Sequence, residues 1–115
     1  MNQNSTFNKK TPLNIAEGIF HTFINSEELR ATKRGWPDFA IYSTDGDFFC
    51  VEVKPSKSED LRESQYDIIE KLSQYGIPCF KFSPDVGFVI IGKRVDGTIT
   101  LCNKLNNQWL AFKAN

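Results

Sequence analysis

Three features of this 115-residue chain predict an α/β fold in which a mixed β-sheet is covered by helices. Apolar residues recur at helical spacing from Leu13 to Ile24 and again from Leu61 to Leu72. The runs DFAIY, FFCVEV, CFKFS and VGFVIIGK are aromatic and β-branched, as strands are. The two patterns alternate along the chain, which favours layers of helix on sheet. A composition of 40% hydrophobic and 13% aromatic residues suits one domain over residues 1–115, with no repeat, linker or low-complexity stretch.

Residues 1–12 are polar and read as a flexible arm. Leu13, Ala16, Ile19, Phe20, Phe23 and Ile24 then predict a first helix over about Asn14–Asn25, with Glu17 on the border of its apolar stripe. Residues 26–34, SEELRATKR, fit either a further helical turn or a loop. DFAIY and FFCVEV form a hairpin about Asp45-Gly46, and Pro55 ends its second strand. Ser58 is the expected N-cap of a second helix, with Glu59 and Asp60 in its first turn. Gly76 and Pro78 mark its end. Residues 86–115 read as C-terminal strands, with Asp96-Gly97 turning the chain back into TITLC. Trp109, Leu110 and Phe112 either close the core or form a dimer contact.

Fourteen basic residues balance fourteen acidic ones, so no global field announces a nucleic acid, and any such binding has to be local. Cys50, Cys79 and Cys102 stand singly in apolar runs, without the spacing of zinc ligands. They read as buried free thiols in a reducing compartment. The polar N-terminus and the lack of a long apolar run make an intracellular, cytoplasmic protein without a membrane span the expectation. His21, the one histidine, reads as a surface residue.

Charges inside the hairpin GWPDFAIYSTDGDFFCVEVK carry the functional information. Glu52 and Lys54 share one strand face, while Phe49, Val51 and Val53 take the other. A two-residue turn would put Asp38 opposite Val53. A three-residue turn, Thr44-Asp45-Gly46, puts Ser43 opposite Asp47 and Asp38 opposite Glu52. Two carboxylates with Cβ atoms ~5 Å apart call for a cation between them. Magnesium suits such a pair, its shell completed by a strand carbonyl, that of Val53, and by water or a phosphate oxygen. Lys54 could then hold the attacking water or stabilise charge building on phosphorus. Gln65 interrupts the second helix's apolar stripe and could point to the same place, and Glu17 could reach it from the first helix. These are the parts for phosphodiester hydrolysis.

Gly35-Trp36-Pro37-Asp38, Glu52-Val53-Lys54 and Gln65, in this order, resemble the PD-(D/E)XK nuclease superfamily and most of all its VRR-NUC branch, over roughly Ala16–Ser83. The resemblance implies a restriction-endonuclease-like core and a magnesium- or manganese-dependent endonuclease. It makes Asp38 and Glu52 metal ligands, Lys54 the catalytic lysine, Gln65 a site-orienting residue and Glu17 a further ligand. Small stand-alone members resemble Holliday-junction resolvases, which implies branched DNA as substrate and a homodimer. A site-specific cutter of homing or restriction type, or a non-cleaving nucleic-acid-binding module of the same fold, are the alternatives. Lys33, Arg34, Lys57 and Arg62 are the candidate DNA contacts.

Overall fold

A computed structural model describes residues 15–27, the backbone of 30–33, and residues 38–115. The elements are α1 (Ile15–Ser26), β1 (Arg30–Lys33), β2 (Phe39–Tyr42), β3 (Phe48–Val53), α2 (Glu63–Gln74), β4 (Cys79–Ser83), β5 (Gly87–Ile91) and α3 (Thr98–Ala114). The strands form one mixed sheet in the order β1-β2-β3-β4-β5. All neighbours are antiparallel except β3 and β4, which run parallel because α2 crosses between them. The predicted arm lies outside the described residues.

Alternation along the strands sorts side chains into two layers. Phe39, Ile41, Phe49, Val51, Val53, Phe80, Phe82 and Phe88 face α1 and α3, where Phe20, Phe23, Leu101, Leu105 and Trp109 complete a largely aromatic core. Phe20 meets Phe39 and Phe82 at ring-centroid distances of 5.0 Å, and Trp109 meets Phe82 edge-on at 4.9 Å. On the opposite face a smaller cluster of Cys50, Leu61, Ile69 and Cys79 lies beneath α2. The sheet thus has a heavy apolar layer on one side and a light one on the other, and the polar residues of interest lie on the light side.

The hairpin has the three-residue turn. Ser43 N–H donates to the Asp47 carbonyl at 3.0 Å, Gly46 N–H donates to the Ser43 carbonyl at 3.1 Å, and Gly46 has φ 95°. The ladder pairs Phe39 with Val51, and continuing it by one residue sets Asp38 against Glu52. Residues 26–34, which the sequence left open, include β1, antiparallel to β2.

Two boundaries differ from expectation. Ser58 does not cap α2, which begins after Arg62. The carbonyl of Glu59, which a helix capped by Ser58 would use internally, instead accepts from Lys81 Nζ at 3.0 Å, as does that of Lys57, and Asp60 accepts from Leu61 N–H and the Tyr66 hydroxyl. Past β5, residues 98–114 form a helix and not the expected strands. Thr98, Ile99 and Thr100 favour a strand locally, but Leu101, Cys102, Leu105 and Trp109 have helical spacing and are all buried. Gly97, at φ 83°, adopts the left-handed conformation that a hairpin turn would also need, so Asp96-Gly97 could not separate the two outcomes. Trp109 is 3% exposed inside the core, which removes it as a dimer contact.

Candidate active site

Asp38, at the entry to β2, and Glu52, near the end of β3, project from the face covered by α2, and both are buried. Asp38 Oδ2 accepts from the Val53 N–H at 3.0 Å, and Glu52 Oε1 accepts from the Asp38 N–H at 3.2 Å. Each carboxylate is thereby tied to the other's strand. Lys54 follows β3, its N–H donating to the Phe82 carbonyl at 2.9 Å, so the parallel ladder with β4 continues through the lysine and fixes its direction. Its ammonium lies 3.7 Å from Glu52 Oε2.

Gln65 closes the group from above. At N3 of α2 it is 3% exposed, its Nε2 donates to Glu52 Oε2 at 2.8 Å, and its Oε1 accepts from the Arg62 N–H at 2.8 Å. The second bond is half of a capping box. By satisfying an orphan N–H of the helix, Gln65 also fixes which end of its amide faces Glu52. A polar residue in an apolar stripe therefore serves helix start and site together.

Burial, then the charge of Asp38, pushes the Glu52 carboxyl up to about 7, against the opposing pull of the Asp38 N–H, Lys54 and Gln65. Two buried carboxyl groups facing each other, with one ammonium 3.7 Å from Glu52, leave negative charge that a cation would neutralise. Among the described residues, no group of three or more His, Cys, Asp and Glu side chains is arranged to hold a metal ion. Asp38 and Glu52 are two carboxylates, a donor set that fits magnesium, which keeps several waters and needs few protein ligands.

The other candidates divide by position. Glu17 is 3% exposed on α1, in the layer across the sheet from Gln65. Lys57 and Arg62 are exposed beside the site, Lys57 N–H donating to Asp85 Oδ2 at 3.1 Å. Lys33 lies on β1, described as backbone only, and Arg34 lies outside the described residues, as do Gly35, Trp36 and Pro37. Lys81 was missed. It pairs in register with Glu52 on the neighbouring strand and ties down the loop that joins Lys54 to α2. Its only sequence signal, a lysine inside CFKFS, acquires meaning once β3 and β4 are known to be parallel.

No protein-family model, curated protein or solved structure matches this chain. Among the described residues no helix is long and apolar enough to cross a membrane.

Proposed function

We propose that the protein is a metal-dependent endodeoxyribonuclease of the PD-(D/E)XK type with a restriction-endonuclease-like core. The observation that carries the reading is the convergence on Glu52 of the Asp38 backbone, the Lys54 ammonium and the Gln65 amide in one buried cluster. A core without chemistry would gain more from apolar residues at these positions, because buried charges are costly to desolvate.

Magnesium or manganese, held by Asp38, Glu52 and the Val53 carbonyl, would supply Lewis acidity toward a phosphate oxygen and an activated water; Glu17, which forms no metal group with the two carboxylates, is left out of the ligand set. Lys54 orients the attacking water and offsets the charge that builds on the phosphate as the P–O ester bond breaks. Gln65 holds Glu52 in the ionised, ligating orientation. Lys33, Arg34, Lys57 and Arg62 contact flanking phosphates, which positions DNA without reading its sequence. Branched DNA such as a Holliday junction, cut by a homodimer, is the substrate that suits shape recognition by a small chain.

The test is incubation with end-labelled linear, nicked, flapped and four-way DNA, with magnesium, manganese or excess chelator. Internal cleavage that requires metal and is greatest on the four-way junction is the expected result. Binding without cleavage would leave a nucleic-acid-binding module, and cutting confined to one sequence would leave a site-specific enzyme.

A further inference from the structure

Under α2, Cys50 on β3 and Cys79 on β4 are register partners across the parallel ladder. Register partners point to the same side of a sheet, and both residues belong to the small cluster with Leu61 and Ile69. Cys79 Sγ donates to the Ile77 carbonyl at 3.5 Å. Neighbouring strands run ~4.8 Å apart, which lies within the ~4.4–6.8 Å between Cα atoms that a disulfide spans. Cys102 differs: it sits in the aromatic core across the sheet, with its Sγ directed to the Phe88 carbonyl.

We propose that Cys50 and Cys79 are a redox-active pair that a hydroperoxide converts to an intramolecular disulfide and a dithiol reductant restores. In the first step one sulfur, having lost its proton, attacks a peroxide oxygen. The O–O bond breaks, and a sulfenic acid forms as water or an alcohol leaves. In the second, the neighbouring sulfur attacks the sulfenic sulfur, the S–S bond forms and water leaves with the second thiol's proton. Two electrons pass from the sulfur pair to the peroxide, and the two thiol protons end in the departing water or alcohol.

Access comes through α2. Cys50 and Cys79 are 5% and 1% exposed, but the helix above them buries only Gln65, Ile69 and Ser73, so its cover is thin beside the aromatic layer on the other face. The disulfide would pin β3 to β4 two residues before Glu52.

The experiment needs no nuclease activity. The full chain is treated with hydrogen peroxide, and separately with glutathione disulfide, then denatured, alkylated and examined by intact mass and non-reducing peptide mapping. The expected product has lost two hydrogens, joins the peptides carrying Cys50 and Cys79, leaves Cys102 alkylated and reverts in dithiothreitol. A Cys102→Ser variant should give the same bond, while Cys50→Ala and Cys79→Ala should each abolish it. Three alkylatable thiols after treatment, oxidation of Cys102 ahead of the pair, or sulfinic acid on Cys50 without an S–S bond would each overturn the proposal.

Discussion

Glu52 holds the sharpest conflict in the molecule, a carboxyl buried against another carboxyl yet contacted by three groups that favour its ionised form. Its pKa, raised from 4.5 to about 7, means that the unfolded chain releases this proton first as pH rises. Above both values the folded state carries the burden of the buried charge, so stability falls between those two pH values by on the order of 3 kcal/mol from this group alone. Without divalent metal, the melting temperature should drop across that window, and Glu52→Gln should flatten the drop. Magnesium reverses the burden, since it binds the ionised form; the melting shift it produces should be larger near pH ~8 than near pH ~6. Equal shifts at both would separate metal binding from Glu52. Gln65→Ala removes two roles at once. Loss of the capping bond should cost about 1 kcal/mol, while loss of the Glu52 contact should lower turnover per folded molecule about 10-fold or more. Normal turnover alongside the lost stability would reduce Gln65 to a helix cap. Glu17, across the sheet on α1, forms no metal group with Asp38 and Glu52, so Glu17→Ala should leave the magnesium titration unchanged, and a roughly 10-fold higher magnesium requirement would return it to the ligand set.

At the level of elements, the hairpin was legible because turn chemistry and strand alternation are local. Ser43, Asp47 and Gly46 together set the register that opposes Asp38 and Glu52. The parallel neighbour was not legible, so the placing of Lys81 beside Glu52 and of Cys79 beside Cys50 could not be foreseen. The C-terminal helix was misread because β-branched Thr98, Ile99 and Thr100 favour a strand and only tertiary burial of Leu101, Leu105 and Trp109 overrides them. That helix also guards the sheet. Asn106 accepts from the Phe88 N–H at 2.7 Å and donates to the Phe88 carbonyl at 3.0 Å, occupying backbone groups that the edge strand β5 would otherwise offer to another chain. The fit is close: a Cβ on Gly87 would lie 2.6 Å from Asn106 Oδ1 and 2.9 Å from Trp109 Cδ1. Asn106→Ala should therefore cost about 1–3 kcal/mol in denaturant unfolding and increase light scattering on mild heating. An unchanged midpoint with no added scattering would deny the guarding role.

At the scale of the whole fold, the described residues span 35 × 30 × 28 Å, the length of ~10 base pairs at 3.4 Å each. On the proposed nuclease function, one copy would offer one active site, and paired symmetric cuts in a junction would require a second copy about a two-fold axis. Because Trp109 lies in the core, any such interface must use other surface. Size measurement in solution with competition between four-way and linear DNA should show a dimer that prefers the junction and releases it steeply as salt rises; a strict monomer cutting both equally would leave a general endonuclease. In the proposed reaction Asp38, Glu52 and Lys54 hydrolyse phosphodiesters with a divalent metal. Its most direct test is the single-turnover cleavage rate of labelled four-way DNA, compared between the parent and folded Asp38→Asn, Glu52→Gln and Lys54→Met variants in magnesium. A metal-dependent rate in the parent and a loss of about 10²–10³ or more in each variant are expected, whereas full activity in excess chelator, or a Glu52→Gln protein that cuts as fast as the parent, would overturn the nuclease reading.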